Sequence, residues 1–137
     1  MTVVLLVEDD PLNARVFSTI LAKRGGFEVL VSQDVEEILQ VVAAGDIAAI
    51  LMDVSLSGSS YQGEAVDGIR ITQLLKENPV SAAIPVILVT AHAMRGDREK
   101  FLQDSGAQGY IAKPVVDQQA MVDHVNELIQ ARVVTNV

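Results

Sequence analysis

Short apolar runs alternate along the chain with longer segments in which apolar residues recur every three or four positions. The runs contain no clear polar alternation, which is typical of strands in a parallel sheet that is covered on both faces. The five predicted strands are Val3–Val7, Phe27–Val31, Ala48–Met52, Val86–Val89 and Gly109–Ala112. The segments between them have the spacing of amphipathic helices, so the pattern predicts five consecutive β–α units.

Residues with capping preferences mark the ends of the predicted helices. Asp10 followed by Pro11 predicts an N-cap and a first helical residue, and Asp34 predicts the N-cap of a second helix. A fourth helix is predicted near Arg95–Asp104, and the last helix begins near Asp117. The helix residues predicted to face the core are Leu12, Val16, Phe17, Ile20, Leu21, Val35, Ile38, Leu39, Val42, Ile71, Leu74, Leu75, Met121, Val122, Val125, Leu128 and Ile129.

Five β–α units in a chain of 137 residues predict an α/β sandwich with right-handed crossovers. Of the two common doubly wound arrangements, five units favour the flavodoxin-like one. It is a (βα)5 three-layer sandwich with the parallel strand order 2-1-3-4-5. We expect a single domain over residues 1–137, with its core in about residues 2–131.

Polar side chains should meet at one edge of this sheet, because ligands in doubly wound folds bind outside the carboxyl ends of the strands. Carboxylates follow the first and third strands, which are neighbours in the predicted order. A threonine and a lysine end the fourth and fifth strands. The residues at this edge are Glu8, Asp9, Asp10, Asp53, Thr90 and Lys113. Of these, Asp10 is accounted for as a helix cap.

Clustered carboxylates repel one another unless a cation joins them, and Mg²⁺ binds a few carboxylates together with water and phosphate oxygens. A threonine hydroxyl and a lysine ammonium suit the oxygens of a phosphoryl group. A carboxylate is also a nucleophile that forms an aspartyl phosphate, and Asp53 is the candidate because it stands alone at its strand end. We therefore predict a Mg²⁺ site that Asp9 binds directly and Glu8 binds directly or through water.

Composition narrows the classes of partner. With 10 basic and 18 acidic residues the formal net charge is −8, which disfavours binding to nucleic acid or to an anionic membrane surface. The chain contains no cysteine, so disulfides, thiolate metal sites and a cysteine nucleophile are excluded. No apolar run is long enough for a transmembrane helix or a signal-peptide core, and we expect a cytoplasmic protein.

Four motifs, in this order along the chain, resemble those of the response-regulator receiver domains of two-component signalling. They are LLVEDD at 5–10, LMD at 51–53, VTAHA at 89–93 and GYIAKP at 109–114. The resemblance covers nearly the whole chain, and the closest architectural likeness is to single-domain, CheY-like receivers. It implies a phosphorylation-activated response regulator rather than an enzyme. Its phosphoryl group would come from a sensor histidine kinase or a histidine phosphotransfer protein, and it would signal to a protein partner.

The resemblance also implies which residues accept the phosphoryl group and bind the metal. Asp53 matches the phosphoacceptor, and Glu8 and Asp9 match the acidic pair that binds Mg²⁺. Asp53 is also a metal ligand in this pattern, and the backbone carbonyl of Ser55 completes the ligands from the protein. Such a domain assists its own phosphorylation and dephosphorylation. The chemistry of the residues and the resemblance select the same acceptor.

Further residues match the switch of the family. Thr90 matches the hydroxyl that moves to the phosphoryl group, and Tyr110 matches the aromatic residue that changes rotamer with it. Lys113 matches the lysine that pairs with the phosphoryl group, in a Lys–Pro bond that is often cis. His92 and His124 lack metal-ligand spacing, and His92 is expected on an output surface because it follows the switch threonine closely.

The stretch after Asp53 departs from the family pattern. Family members have a short loop there, often with Met-Pro or Leu-Pro, followed by Asp-Gly. Here the sequence reads DVSLSGSSYQGEAVDG up to Gly68, so the loop is extended over 54–66 and contains no proline. Because this loop borders the acceptor, we expect it to affect the metal geometry at Ser55, the rate of dephosphorylation or the choice of partner.

Two other classes of function stay open from the sequence. The first is a phosphohydrolase with an Asp nucleophile, although such enzymes commonly carry a second Asp two positions on, where this chain has Ser55. The second is a receiver-like interaction module that is never phosphorylated. Such modules usually lose acceptor or metal residues, and this chain keeps them.

Overall fold

Seven strands and six helices lie in the part of the chain that the computed structural model describes, residues 2–91 and 96–135. The strands are β1 Val3–Val7, β2 Glu28–Ser32, β3 Ile47–Asp53, β4 Ser60–Tyr61, β5 Glu64–Ala65, β6 Val86–Thr90 and β7 Gly109–Ala112. The helices are α1 Pro11–Gly25, α2 Val35–Ala43, α3 Gly68–Glu77, α4 Pro79–Ala82, α5 Asp97–Ser105 and α6 Gln118–Thr135. The predicted strands and helices are all present, and β4, β5 and α4 are additional.

The five long strands form one parallel sheet with the order β2-β1-β3-β6-β7, while β4 and β5 form a separate antiparallel hairpin. Because the hairpin lies outside the sheet, this is the predicted 2-1-3-4-5 order of the β–α units. The flavodoxin-like fold is therefore confirmed. The register aligns Val7 of β1 with Met52 of β3, and Asp53 of β3 with Val89 of β6.

Apolar side chains form two clusters, one on each face of the sheet. On one face, Ile50 of β3 belongs to the same buried cluster as Ile38 of α2. On the other face, Leu51 of β3 joins Leu21 of α1 and Val125 of α6. Burying each such side chain contributes about 1.5–3 kcal/mol to folding. Helices thus cover both faces, which gives the three layers that the sequence predicts.

The predicted helix starts are confirmed by their caps. The Asp10 carboxylate accepts a 2.9 Å hydrogen bond from the backbone N–H of Leu12, with Pro11 at the start of α1. The Asp34 carboxylate accepts a 3.0 Å hydrogen bond from the N–H of Glu36 at the start of α2. These bonds satisfy amide groups that have no acceptor within the helix.

Two apolar residues of α1 that the sequence pattern assigns to the core are exposed. Leu12 and Val16 are 67% and 45% exposed, whereas Phe17, Ile20 and Leu21 are buried. Successive helix residues are about 100° apart around the axis, so Leu12 lies about 130° and Val16 about 90° from the buried direction. The predicted apolar stripe is wrong at Leu12 and Val16. It spans a wider arc of the helix than the face of α1 that packs against the sheet.

The prediction that every strand is buried on both faces is wrong for the two edge strands. In β7 only Gly109 is buried, and Ala112 is exposed. The other such strand is β2. Its residues Leu30 and Val31 are 40% and 46% exposed. β2 is an edge strand and pairs with β1 on one side only. The central strands β1, β3 and β6 are almost fully buried, as expected of a parallel sheet between two helical layers.

The extended segment after β3 contains the β4–β5 hairpin, in which Ser60 pairs with Ala65. Its two-residue turn consists of Gln62 and Gly63, which have positive φ angles of 53° and 84°. Two positive φ values define a type I′ turn, whose twist matches that of the strands it joins. Glycine adopts this conformation without steric cost, and the Gln-Gly pair is therefore the local reason for the hairpin.

The extended segment is anchored at both of its sides. Val54 and Leu56 are each 7% exposed and belong to the core cluster that contains Ile50. Ser59 Oγ donates a 2.7 Å hydrogen bond to the backbone carbonyl of Gln33 in the loop after β2. The segment is therefore an ordered part of the fold, held by burial and by a long-range hydrogen bond.

The fourth predicted helix corresponds to α5, which begins at Asp97. His92 and Arg95, which belong to the predicted output surface and to the predicted helix, lie outside the described residues. Among the helices that the structure describes, none has both the length and the apolar character required to cross a bilayer.

Candidate functional site

The carboxyl ends of four strands bring the predicted site residues to one edge of the sheet. Glu8 and Asp9 follow β1, and Asp53 is the last residue of β3. Thr90 is the last residue of β6, and Lys113 follows β7. The backbone carbonyl of Thr90 accepts a 2.8 Å hydrogen bond from the N–H of Lys113, which ties the last two strand ends together.

Three carboxylates converge at this edge. Glu8, Asp9 and Asp53 each present one oxygen, and these oxygens all lie within 4.8 Å of one another. Glu8 and Asp53 are only 5% and 4% exposed. Negative charges that lie this close together and this far from water are costly unless a cation offsets them.

Lys113 supplies positive charge to the carboxylate cluster. Its Nζ lies 3.5 Å from Oε2 of Glu8 and 3.4 Å from Oδ1 of Asp53. Both distances exceed the roughly 2.7–2.9 Å of a strong charge-assisted hydrogen bond. One ammonium facing three ionised carboxylates leaves two negative charges, which is the charge that one divalent cation offsets.

The carboxyl group of Glu8 is harder to ionise than that of an ordinary glutamate. Burial, together with a smaller contribution from the neighbouring Asp53, raises the pKa of Glu8 from 4.5 to about 7. The backbone N–H of Asp10, 3.2 Å from Oε1 of Glu8, and the charge of Lys113 act in the opposite direction. A nearby divalent cation would favour the ionised form of this carboxyl group.

Two serines of the extended segment donate hydrogen bonds to the acidic residues. Ser57 donates from its backbone N–H and from its Oγ to Oδ2 of Asp9, each at 2.9 Å. The backbone hydrogen bond is the main reason that the pKa of Asp9 lies below its usual value. The N–H of Ser55 donates a 3.1 Å hydrogen bond to Oδ1 of Asp53. The role of Ser57 could not be predicted from the sequence, because a serine in a polar loop carries no distinguishing pattern.

Gly68 is a second residue whose role the sequence analysis does not identify. It begins α3, and its N–H donates a 3.2 Å hydrogen bond to the carbonyl of Val54. A Cβ at this position would overlap the backbone carbonyl oxygen of Asp53 and lie 3.0 Å from Cγ of Met52. The Asp-Gly pair at the start of α3 is the signal that points to it, and only glycine permits this close approach to the acceptor backbone.

The two predicted switch residues lie on the last two strands of the sheet. Thr90 is fully buried at the end of β6. Tyr110 of β7 pairs with Leu88 of β6 and packs, partly buried, against the core cluster that contains Ile50. Burial raises the pKa of Tyr110 above its usual value. The Lys113–Pro114 peptide bond is cis.

A matching family model and a relative of similar length show which protein family this chain belongs to. A family model described as "Response regulator receiver domain" matches residues 4–126. The polar-differentiation response regulator DivK of Brucella ovis is 35% identical over 112 residues, which cover 82% of this chain and 84% of DivK. The chain is a response regulator receiver domain. It belongs to two-component signalling, whose receiver domains take phosphoryl groups from histidine kinases or phosphotransfer proteins.

Receiver domains also occur inside much larger proteins. The hybrid signal transduction histidine kinase I of Dictyostelium discoideum is 36% identical over 114 residues, which cover 82% of this chain and only 6% of the kinase. Among solved structures, the receiver domain of a sensor histidine kinase from Pseudomonas aeruginosa PAO1 matches with a TM-score of 0.77 and 29% identity. The match covers 94% of this chain and 98% of that one. That structure is described as having a magnesium ion coordinated in the active-site cleft.

The residues of this receiver domain fit a magnesium ion. Carboxylate oxygens are the ligands that Mg²⁺ prefers, and Glu8, Asp9 and Asp53 bring three of them within 4.8 Å. The two anions that are most buried, Glu8 and Asp53, have Lys113 as their cationic contact, at 3.4 Å or more. The cluster therefore has the chemistry and the charge shortage of a divalent-cation site.

Proposed function

We propose that this receiver domain is a phosphorylation-activated response regulator that accepts a phosphoryl group on Asp53. The donor is a sensor histidine kinase or a histidine phosphotransfer protein. Glu8, Asp9, Asp53 and the backbone carbonyl of Ser55 would hold Mg²⁺. The observation that carries the proposal is the convergence of three carboxylates with Lys113 at the carboxyl edge of the sheet.

Asp53 is the nucleophile in this proposal. One of its carboxylate oxygens attacks the phosphorus of the donor's phosphohistidine, so that a P–O bond forms and the P–N bond to histidine breaks. The displaced electron pair stays on the donor imidazole. Transfer of this kind depends on positioning and on neutralisation of charge. The hydrogen bond from Ser55 N–H to Asp53 Oδ1 orients the acceptor carboxylate for this attack.

Lys113 and Thr90 would contact the oxygens of the transferred group, beside the cation held by the carboxylates. Bound Mg²⁺ would supply charge neutralisation for the phosphoryl oxygens. Lys113, whose Nζ is already 3.4 Å from Asp53, pairs with a phosphoryl oxygen after transfer. Thr90, at the end of the strand beside β3, donates its hydroxyl to another phosphoryl oxygen.

The response to phosphorylation would run from the site edge along the last strands. When Thr90 moves to the phosphoryl group, the space around it changes, and Tyr110 on the adjacent strand changes rotamer. A protein partner that binds one of the two states more tightly then reads the signal. The strength of the response is limited by the difference in that partner's affinity for the two states.

The first test is the intact mass of the protein after incubation with acetyl phosphate, with and without Mg²⁺. We expect one added phosphoryl group in the wild type with Mg²⁺, and none in Asp53→Ala or after chelation of the metal. Asp10→Asn is the matched control, because Asp10 lies at the same edge and asparagine preserves its capping role. This variant should be phosphorylated like the wild type.

Three results would contradict the proposal. A phosphoryl group that still appears on Asp53→Ala would place the acceptor elsewhere. The absence of any adduct with acetyl phosphate and also with a panel of phosphorylated histidine kinases, on a folded protein, would favour a receiver-like interaction module. Sustained turnover of a phosphate ester would instead favour a phosphohydrolase.

A further inference from the structure

Ser57 directs two hydrogen bonds to one oxygen of a metal-site carboxylate. Its backbone N–H and its Oγ both lie 2.9 Å from Oδ2 of Asp9, a separation in sequence of 48 residues. The N–H bond has the usual length of an amide hydrogen bond, and the hydroxyl bond lies within the ordinary O–H···O range of about 2.5–3.0 Å. They connect the extended segment after β3 to the acidic residues that follow β1.

The two hydrogen bonds leave one oxygen of Asp9 for a cation. A carboxylate oxygen has two lone pairs, so two donors occupy the favourable acceptor positions of Oδ2. Rotation of the carboxylate would break both bonds at once, and the plane of the group is therefore held. Oδ1 of Asp9 is then the oxygen that remains for a metal ion.

The position of Ser57 is itself determined by the extended segment. Leu56, the preceding residue, is 7% exposed in a core cluster, and Ser59, two residues further, donates its Oγ to the carbonyl of Gln33 at 2.7 Å. The β4–β5 hairpin follows directly. The donors of Ser57 are thus held at the site by contacts that involve no metal ion.

We propose that Ser57 is a positioning residue that orients the Asp9 carboxylate for Mg²⁺, so that the extended segment supports the cation site from outside. This inference rests on the proposed function, because it concerns the same site. Groups that hydrogen-bond to a metal ligand fix its orientation, and their loss typically weakens metal affinity by about 10–100-fold. The proposed role is specific to Ser57 of this chain and is not a property that every acidic cluster shares.

The test is calorimetric titration of metal-free protein with MgCl₂, without any phosphodonor. Ser57→Ala removes the Oγ donor and keeps the N–H, so we expect affinity to fall by about tenfold, the lower end of such effects. Ser57→Pro removes both donors, and we expect a loss of about 10–100-fold. Ser57→Thr restores a hydroxyl and should bind nearly as the wild type does.

Two further variants separate the possible explanations. Ser60→Ala removes an exposed serine hydroxyl from the same segment and should leave the affinity unchanged. Asp9→Asn should abolish tight binding. Thermal unfolding of each variant without metal measures its stability, and for Ser57→Ala we expect a near-wild-type midpoint together with a smaller upward shift on addition of Mg²⁺.

The outcomes distinguish a failure of the Ser57 inference from a failure of the proposed function. If the wild type binds Mg²⁺, Asp9→Asn does not, and both Ser57→Ala and Ser57→Pro match the wild type, Ser57 has no positioning role although the site stands. Tighter binding by Ser57→Ala would mean that Ser57 competes with the ion, which also overturns the inference. If the wild type itself shows no Mg²⁺ site, the metal site of the proposed function fails, and the inference fails with it.

Discussion

The side chain of Lys76 is partly buried near the end of α3, the opposite end of that helix from Asp53, and has no carboxylate partner among its described contacts. Its Nζ donates to the carbonyls of Ala82 and Ile84, at 3.1 and 2.8 Å, and to Oε1 of Gln108 at 3.1 Å. Burial, together with a smaller contribution from the charge of Arg132, lowers the pKa of Lys76 from 10.5 to about 8. One ammonium thus joins the end of α3, the α4 turn and the segment before β7 at an electrostatic cost.

This lowered pKa makes a prediction for the pH dependence of stability. Between about pH 8 and 10.5 the unfolded chain holds the proton on Lys76 while the folded protein has lost it. Since the unfolded state binds more protons in this window, the free energy of unfolding rises with pH there. We expect the unfolding free energy of the wild type, minus that of Lys76→Met, to increase from pH 7.5 to 9.5 in urea titrations.

The control for Lys76→Met is Lys100→Met, which removes a lysine that is exposed on α5. The corresponding difference between the wild type and this variant should not increase over the same range. A flat or falling difference for Lys76→Met would mean that the buried ammonium is not destabilised by its surroundings.

Residues differ in how much of their role the sequence reveals. The capping role of Asp10 and the edge position of Asp53 follow from local rules, because a cap depends on its neighbours and a strand end on the strand. The contacts of Ser57 and Lys76 join residues far apart in the chain. No local pattern encodes such contacts, and they became visible only when the fold brought their partners together.

At the scale of elements, α3 depends on a glycine where it meets β3. The first residue of this helix, Gly68, lies against the backbone of Asp53, with no room for a Cβ. Backbone atoms cannot move aside as a flexible side chain can. The packing of the start of α3 and the position of Asp53 therefore depend on each other.

We predict that Gly68→Ala displaces the start of α3 from the end of β3. The expected cost is about 1–3 kcal/mol in the free energy of unfolding, the usual range for overpacking, measured by urea denaturation. Phosphorylation of Asp53 by acetyl phosphate should also slow. Gly63→Ala, in the hairpin turn where φ is positive, is the comparison: it should also lower stability but leave the phosphorylation rate unchanged. If Gly68→Ala had the stability and the phosphorylation rate of the wild type, the close contact between Gly68 and the backbone of Asp53 would be refuted.

The predicted elements have the correct type and nearly the correct ends, because apolar periodicity and caps are strong signals over ten or more residues. The errors have physical causes. β2 and β7 lie at the edges of the sheet and are only partly covered, and the pattern of an apolar run does not reveal which strands are central. Leu12 and Val16 show the same limit for a helix. The two-residue strands of the hairpin and the single turn of α4 are too short to give a periodic signal.

At the scale of the whole molecule, five β–α units with right-handed crossovers favour the flavodoxin-like strand order, which the structure has. That order explains why acids distant in sequence become neighbours. The same arrangement carries a cost, since the fold must bring together Glu8, Asp9 and Asp53, with Lys113 as the cation in contact with two of them. Without a bound cation, the functional site should therefore work against folding.

The repulsion within the carboxylate cluster predicts that Asp53→Asn raises stability without metal and reduces the stabilisation by Mg²⁺. Asp53→Asn removes a charge that faces Glu8, so in EDTA the variant should unfold at a higher temperature than the wild type. A gain of about 1 kcal/mol corresponds to a few degrees in a domain of this size. In millimolar Mg²⁺ the wild type should gain stability through ligand binding, whereas the variant should gain little.

Asp10→Asn makes the same change in net charge at the same edge of the sheet, outside the carboxylate cluster, and asparagine remains a good N-cap. It should unfold near the wild-type temperature in EDTA and show the full stabilisation by Mg²⁺. Scanning calorimetry of the three proteins, with and without metal, separates a local effect at Asp53 from a general effect of the net charge of −8. If Asp53→Asn lowers the unfolding temperature in EDTA, the carboxylate is held by favourable contacts that outweigh repulsion from Glu8. The cluster would then be stable without a cation, because Lys113 alone would offset its charge.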